Sequence, residues 1–285
     1  MKHIYLNLKR FDVPAELGGV NRQAPIQEYG HFVVSSTQEG LKKYDPAKVE
    51  FIQFLPEAHI LNAVSARTSG SPLLLGSQGV YRENVAPGGN FGAFTTNRPA
   101  AAVKALGCEA VLIGHCEERN DKKGILAQAG VKDAYAINCL LNQEIRCAVE
   151  AGLKAVYCIG ETAEEQPQWE QVLGAQLKEG LDGIEAAKEH VVIAYEPVWS
   201  IGPGKVPADQ NYITKIARFV KEKTDGMDVV YGGGLKADNA GMLASIAEID
   251  GGLIALTRFQ GEIGFYPEEY LEIIRLYLGS GFEKA

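Results

Sequence analysis

The sequence predicts a single α/β domain, in which eight parallel strands alternate with helices and close into a (β/α)8 barrel. Short Val/Ile/Leu-rich segments recur eight times, and segments with helical periodicity separate most of them. The apolar residues of these short segments run on without strict alternation, which is typical of parallel strands buried on both faces. No linker or low-complexity tract interrupts residues 1–285, so we expect one barrel domain rather than two domains.

The elements follow one another evenly along the chain. The predicted strands are residues 3–8, 49–55, 73–75, 110–113, 155–159, 191–195, 229–231 and 253–256. Helical segments are predicted at 58–67, 99–106, 131–152, 164–190, 208–223, 238–246 and 268–278. Within 131–152, Ile137, Leu141 and Ile145 recur every four residues, so one face packs inward. Residues 11–38 predict an enlarged first connection, with a weak helix near 27–44.

Composition narrows the classes of protein and of partner. The 36 acidic residues outnumber the 28 basic ones, and the basic residues are scattered, so we expect no nucleic-acid partner. There is no run of 18 apolar residues and no leader-like N-terminus, which favours a soluble, cytoplasmic protein without a membrane partner. The five cysteines form no Cys-x-x-Cys pair, so we expect reduced thiols and neither a zinc site nor a disulfide framework.

Residues 191–205 join a buried β-branched strand to a carboxylate and a glycine-containing loop. Glu196 ends the apolar run, and its partial desolvation is expected to raise the pKa of this carboxyl toward neutrality. A carboxylate of that kind is an effective general base. Gly202 and Gly204 flank Pro203 in a loop that also carries Trp199, a composition that predicts a hinged lid over a site.

Polar residues follow other predicted strands as well. Asn7 and Lys9 lie at the end of the first strand, His115 and Glu117 follow the fourth, and residues 232–234 after the seventh are all glycine. Active sites of (β/α)8 barrels lie at the carboxyl ends of the strands. We therefore expect an ammonium, an imidazole, a carboxylate and a glycine-rich backbone on one rim.

These motifs resemble those of the triosephosphate isomerase family, whose fold is the TIM barrel. The segment AYEPVWSIGPGK (194–205) is similar to the base and lid of that family, and IGHCEER (113–119) is similar to its histidine motif. Asn-x-Lys at 7–9, GAFT at 92–95, CIGE at 158–161 and YGG at 231–233 match further motifs. The matches occur in the order of the family and cover most of the chain.

The resemblance implies a role for each catalytic residue. Glu196 would remove the proton beside a carbonyl, while His115 would donate a hydrogen bond to the oxygen that becomes the enediolate. Triosephosphate isomerases are the standing example of a neutral histidine acting in this way at a helix N-terminus. Lys9 would supply positive charge, Asn7 would orient the carbonyl oxygen, and Glu117 would position Lys9 or merely cap its helix. No metal and no cofactor is implied.

The resemblance also implies how the substrate is held and how the chain assembles. Backbone N–H groups of Gly202 on the lid and of Gly234 on the seventh loop would bind the phosphate of a small phosphorylated sugar. Gly234 stands where the family usually has serine. Thr95 matches a loop that reaches across a two-fold interface, so a homodimer is expected.

The eighth loop departs from the pattern of the family. Ala255 and Leu256 replace a pair of glycines whose amides bind phosphate, and Arg258 follows them. A bidentate guanidinium would replace the lost amide donors, or Arg258 would instead pair with a helix carboxylate. In the histidine motif Cys116 replaces serine and Glu118 replaces arginine, changes that do not touch the proton transfers.

Three functions remain open from the sequence. The leading one is an aldose–ketose isomerase that forms an enediolate, namely a triosephosphate isomerase of glycolysis and gluconeogenesis. The second is an isomerase, epimerase or phosphate-eliminating enzyme that acts on a different small sugar phosphate. The third is a catalytically silent relative that binds a sugar phosphate. Retention of Lys9, His115 and Glu196 favours an enzyme, because a sensor needs the phosphate site more than the base.

Overall fold

The computed structural model describes residues 1–202 and 205–284, and it contains all eight predicted strands. Four of them, β2, β4, β6 and β7, have the predicted bounds. The last begins and ends two residues before its predicted bounds, which leaves Ala255 and Leu256 in the loop that follows. The strands are β1 Lys2–Asn7, β2 Val49–Leu55, β3 Leu73–Ser77, β4 Ala110–Ile113, β5 Lys154–Ile159, β6 Val191–Tyr195, β7 Val229–Tyr231 and β8 Gly251–Ile254.

The strands form a closed barrel in chain order, and every neighbouring pair is parallel. Closure is made by β8 and β1, with His3 opposite Gly251 and Leu6 opposite Ile254. The predicted (β/α)8 barrel is therefore confirmed. Since all strands run the same way, their carboxyl ends meet on one rim and their amino ends on the other.

Helices surround the barrel, and the structure adds one to those predicted. They are α1 Tyr29–Leu41, α2 Glu57–Ala66, α3 Ala100–Ala105, α4 Cys116–Gln128, α5 Ala134–Glu150, α6 Trp169–Gly180, α7 Gln210–Lys223, α8 Ala240–Ala244 and α9 Pro267–Leu278. Within the described ranges, no helix combines the length and the apolarity that a membrane crossing requires.

Helix α4 has no counterpart among the helical segments that periodicity predicts, because none of its residues is buried. A helix without an apolar face carries no hydrophobic period of 3.6 residues. The predicted helix 164–190 is shorter in the structure, where α6 is followed by a separate 3-10 segment at Glu185–His190. Hydrophobic periodicity thus predicts the helices that pack on the sheet. It does not predict α4, which contains part of the histidine motif but has no buried face.

The core has two layers, because alternate side chains of each strand point into and out of the barrel. Ile4 and Leu6 of β1 face the helices, whereas Tyr5 between them fills the interior. Burial of each such apolar side chain contributes roughly 1.5–3 kcal/mol, so the two layers stabilise the barrel that carries the rim. The interior cluster consists of Tyr5, Ile52, Phe54, Ala110, Leu112, Val156, Cys158, Val192, Ala194, Val230 and Leu253.

Candidate active site

Glu196 lies directly after β6 and is almost completely buried, with 2% of its side chain exposed. Its backbone N–H donates to the carbonyl of Ile159 on β5, which fixes the residue at the rim. Carboxylate Oε2 accepts a hydrogen bond from the backbone N–H of Cys116 at 2.9 Å. The other oxygen, Oε1, has no hydrogen-bond partner within the described part of the chain.

Burial raises the pKa of Glu196 above its usual value. The nearby His115, the Cys116 N–H and the ammonium of Lys9 favour the ionised form, but they do not outweigh desolvation. The direction agrees with the expectation from the sequence. A carboxylate whose charge is poorly compensated is a stronger base than an exposed one.

His115 faces Glu196, with Nε2 at 3.3 Å from Oε1 of the carboxylate. The residue follows β4 through Gly114, whose φ of 76° turns the chain, and it is the N-cap of α4. Its Nδ1 accepts a hydrogen bond from the backbone N–H of Glu117 at 3.3 Å. An accepting Nδ1 places the proton of the neutral ring on Nε2, toward the carboxylate.

Lys9 has an unusual backbone conformation, with φ at 40°. Its N–H donates to Oδ1 of Asn7 at 3.0 Å, and Nε2 of Gln78 donates to both Oδ1 of Asn7 (3.1 Å) and the Lys9 carbonyl (2.9 Å). A left-handed conformation of a non-glycine residue is strained and persists where its surroundings hold it. Asn7 and Gln78 hold Lys9 in this way. The sequence motifs did not single out Gln78, although it lies directly beyond β3.

Glu117 connects Lys9 and His115 at the start of α4. Its Oε1 lies 3.4 Å from Nζ of Lys9, and its Oε2 lies 3.6 Å from Nδ1 of His115. The side chain of Glu117 is 70% exposed, so its ion pair with Lys9 is solvated and contributes little energy. The contact matches the predicted positioning role, which stays a prediction.

Two residues that were given no catalytic role support the histidine loop. Arg119 donates from Nε to the carbonyl of Gly114 (2.9 Å) and from its terminal nitrogen to the carbonyl of Cys158 (2.9 Å). Glu118 accepts from the N–H of Gly114 at 2.6 Å and pairs with Lys122. Both therefore fix the turn that aims His115. In the sequence, these two residues are marked only by their position in the motif at 113–119.

Glu161 anchors the first turn of the predicted lid. Its Oε1 accepts hydrogen bonds from Nε1 of Trp199 (2.8 Å) and from the hydroxyls of Tyr195 and Tyr212 (3.0 Å each). Burial raises the pKa of Glu161, and these three donors oppose that shift. The residue was recognised only as part of the CIGE motif, since its partners are 34 to 51 positions away.

The lid is described only in part. Gly202 has φ at 117°, a conformation that disfavours other residues, whereas Pro203 and Gly204 lie outside the described residues. The lid itself and phosphate binding by Gly202 stay predictions.

The seventh loop approaches the base closely. A Cβ at Gly232 would lie 2.7 Å from Cγ of Glu196, so only glycine fits there. Two residues further, Gly234 has φ at 99°. Gly234 thus needs its glycine for conformation, although its proposed hydrogen bond to phosphate stays a prediction.

The eighth loop forms a small hairpin in which Arg258 bridges to Gly264. The Arg258 guanidinium stacks 3.5 Å from the centroid of the Tyr266 ring and donates from Nε to Glu269 at 2.7 Å. A Cβ at Gly264 would stand 3.0 Å from the carbonyl of Val20, so the hairpin packs on the enlarged first connection. Arg258 therefore adopts the helix-carboxylate pairing, while its proposed contact with substrate stays a prediction.

Three side chains of the site are also potential metal ligands. His115, Cys116 and Glu196 each offer one donor atom, and these atoms lie within 4.8 Å of one another. The expectation that catalysis involves no metal rests on the resemblance alone.

Comparison with known proteins decides the family. A family model described as triosephosphate isomerase matches residues 27–275. The chain belongs to the triosephosphate isomerase family. The triosephosphate isomerase of Syntrophotalea carbinolica is 33% identical over 226 residues, 75% of this chain and 80% of the relative. The triosephosphate isomerase of Treponema pallidum (strain Nichols) is 34% identical over 210 residues, which are 70% of this chain and 77% of that relative.

A solved triosephosphate isomerase structure, from Bartonella henselae, superimposes on this chain with a TM-score of 0.70. It covers 97% of this chain and 98% of its own, at 24% sequence identity, and so supports the fold. The family model and the relatives confirm the resemblance that the motifs indicated.

Within this member of the triosephosphate isomerase family, the predicted site residues fall into two groups. One group is joined by direct contacts on a continuous part of the rim. The other lies on separate loops. The first comprises Asn7, Lys9, His115, Glu117 and Glu196, and the second comprises Gly202, Gly234 and Arg258.

Proposed function

We propose that this chain interconverts glyceraldehyde 3-phosphate and dihydroxyacetone phosphate through an enediolate, as an isomerase that needs no cofactor. One observation carries the proposal: a buried carboxylate with an unpartnered oxygen faces the Nε2 of His115 at 3.3 Å, on the same rim as Lys9. Membership of the triosephosphate isomerase family supports the same reaction.

The proposed reaction is a proton transfer between adjacent carbons. Glu196 takes the proton from C1 of the ketose, and the electron pair left behind forms the enediolate as the carbonyl oxygen at C2 becomes negative. The Nε2–H of His115 hydrogen-bonds that oxygen, while Lys9 stabilises its charge. A proton moves between the two oxygens, and Glu196 returns its proton to C2 to give the aldose. No atom is gained or lost overall.

The phosphate of the substrate needs binding groups of its own. We assign phosphate binding to Lys9 together with backbone N–H groups of the seventh loop and the lid, including Gly234 and Gly202. Glycine at these positions supports close approach of an anion to the backbone. The hairpin at Arg258 favours a second candidate, the isomerisation or epimerisation of a small sugar phosphate with a different tail.

The decisive experiment compares substrates. Hydrogen–deuterium exchange and interconversion should be measured with both triose phosphates and with a panel of longer phosphorylated ketoses. Efficient turnover of the trioses supports the first candidate, whereas trace triose turnover beside efficient use of another ketose phosphate would establish the second.

The two interpretations of Arg258 are separated by a pair of variants. If Arg258 binds the phosphate, Arg258→Ala raises KM about tenfold with little change in kcat, whereas Glu269→Gln leaves KM unchanged or lowers it. If Arg258 only pairs with Glu269, both variants reduce stability and leave KM unaltered.

We also propose a homodimer in the cytoplasm. The loop that contains Thr95 lies outside the barrel and exposes Phe91, 95% of whose surface is accessible. An aromatic side chain in that position fits an interface. All five cysteines are free thiols, which agrees with a reducing compartment. Light scattering of the purified chain and of Phe91→Asp tests the assembly, since a monomeric wild-type chain would contradict it.

A further inference from the structure

The side chain of Cys116 adds a third type of metal ligand to the base and the histidine. Nε2 of His115 lies 3.3 Å from Oε1 of Glu196, and Sγ of Cys116 lies 3.9 Å from Nδ1 of His115. Donor atoms around a tetrahedral zinc ion, with bonds of about 2.0–2.3 Å, stand about 3.3–3.8 Å apart. These two distances involve opposite nitrogens of the imidazole, and one ion binds only one of them. With one donor atom from each side chain, the three atoms lie within 4.8 Å of one another. Side-chain rotation must shorten the longer of these distances for all three residues to bind one ion.

A second, independent observation comes from Glu196. Its Oε1 is buried and accepts no hydrogen bond in the described part of the chain. The Nε2–H of His115 faces this oxygen at 3.3 Å without forming a hydrogen bond, so its charge is only partly compensated. A cation between Oε1 and the imidazole would satisfy it directly.

The local charges balance a divalent ion. A thiolate and a carboxylate together neutralise two positive charges, and a neutral imidazole completes the set. Two cations, Lys9 and Arg119, lie close enough to influence Glu196. Lys9 is paired with Glu117, and the guanidinium of Arg119 is held by backbone carbonyls of Gly114 and Cys158.

We propose that His115, Cys116 and Glu196 form an inhibitory zinc site, which holds Zn²⁺ with three protein ligands and leaves one position for water. Binding replaces the thiol proton, which is released to solvent. The bound ion takes both the base and the hydrogen-bond donor out of the reaction, so zinc and substrate exclude each other. Serine, the usual family residue at this position, lacks the thiolate that zinc prefers.

The test measures inhibition of turnover in metal-buffered zinc. Zinc should inhibit the wild-type chain reversibly and in competition with substrate, and a chelator should restore activity. In Cys116→Ser, the zinc concentration for half-inhibition should rise at least about tenfold, since even residues that only support metal ligands change affinity by that much. Inhibition of each variant should be expressed relative to its own turnover without zinc, so that a change in basal activity does not affect the comparison.

Cys139→Ser is the matched control, since Cys139 is partly buried on α5 and outside the site. It should leave zinc sensitivity unchanged. Equal inhibition of wild type and Cys116→Ser, or equal protection by both serine variants, would overturn the proposal.

The zinc proposal rests on the proposed function, because it uses the same base and histidine. Direct binding of Co²⁺ supplies a measurement that does not depend on turnover. Cobalt bound by Cys116 should give a thiolate-to-metal charge-transfer absorption in the near ultraviolet, which Zn²⁺ abolishes and Cys116→Ser lacks. Absence of that band in the wild type would reject the site even if the substrate assignment failed or Cys116→Ser did not fold.

Discussion

Each end of the barrel places a largely buried glutamate beside a histidine, but the pKa of the glutamate is shifted in opposite directions at the two ends. At the carboxyl end, Glu196 faces His115 with one oxygen unpartnered, and burial raises its pKa. At the amino end, Glu50 accepts hydrogen bonds from His3 (3.0 Å) and from Tyr5 (2.9 Å) and also pairs with Lys154. There the pKa of Glu50 is lowered to about 2, because these partners outweigh the burial that opposes them.

The difference lies in the number of partners rather than in the type of residue. His3 is held between two carboxylates, since its Nε2 also contacts Asp228 at 2.8 Å. The charges of His3, Glu50, Asp228 and Lys154 therefore compensate one another, as is typical of a network that contributes to stability. At the carboxyl end compensation is incomplete, which costs stability and leaves Glu196 able to take up a proton.

The largest expected effect is on catalysis by Glu196→Gln. Loss of the general base should lower kcat by about 10³–10⁴-fold. Because the variant removes a poorly compensated buried charge, its melting temperature should equal or exceed that of the wild type. Steady-state kinetics and thermal unfolding together check both statements.

The corresponding change at the other end is Glu50→Gln. It should lower the free energy of unfolding by about 3–5 kcal/mol, because His3 and Lys154 lose their carboxylate partner. Its kcat should stay close to that of the wild type. Denaturant unfolding measures the loss, and a stable Glu50→Gln chain or one with impaired kcat would remove the contrast between the two ends.

The amino-end network also predicts how stability depends on pH. Burial lowers the pKa of His3, but hydrogen bonds from its ring to Asp228 and Glu50 outweigh burial and leave the pKa above 6.5. Protonated His3 therefore stabilises the fold fully below pH 6.5, and this contribution is lost as pH rises through the folded pKa. The contribution of Glu50 is present above its ordinary pKa of 4.5 and is lost as pH falls toward 2.

His3→Gln isolates the alkaline part of this profile. Glu144, whose pKa is raised by burial and by Glu118, also makes the fold less stable as pH rises. The difference between wild type and His3→Gln should therefore shrink with rising pH, while the decline due to Glu144 remains. A difference that is constant from pH 6 to 9 would contradict a raised pKa of His3.

The smallest expected effect is a displacement of the acid limb of kcat/KM. Because Glu196 must be ionised to accept a proton, activity should fall as pH drops through its raised pKa, at a midpoint above the ordinary 4.5. A pH–rate profile of the wild type, with a substrate whose phosphate ionisation is corrected for, measures it. A midpoint at or below 4.5 would mean that burial does not control this carboxylate.

Local patterns in the sequence were sufficient for much of the fold. Strands buried on both faces are continuous apolar segments, so β2, β4, β6 and β7 were predicted to the residue. Hydrophobic periodicity did not predict the exposed helix α4, because this helix has no buried apolar face opposite a solvent-exposed one. Asn7, Lys9, His115, Glu117 and Glu196 could be assigned to one rim because the motifs place them at or shortly after the ends of strands.

The sequence by itself thus determined the barrel, its family and the residue types at the strand ends, since hydrophobic pattern and motif are local properties. Only the tertiary structure decided which partners those residues have. Gln78 meets Asn7 across 71 positions, and Arg258 contacts Glu269 instead of standing free. The number of hydrogen-bonding and charged partners also distinguishes Glu196 from Glu50. The pKa of a buried carboxylate depends on neighbours that are distant in sequence and meet only in the folded barrel.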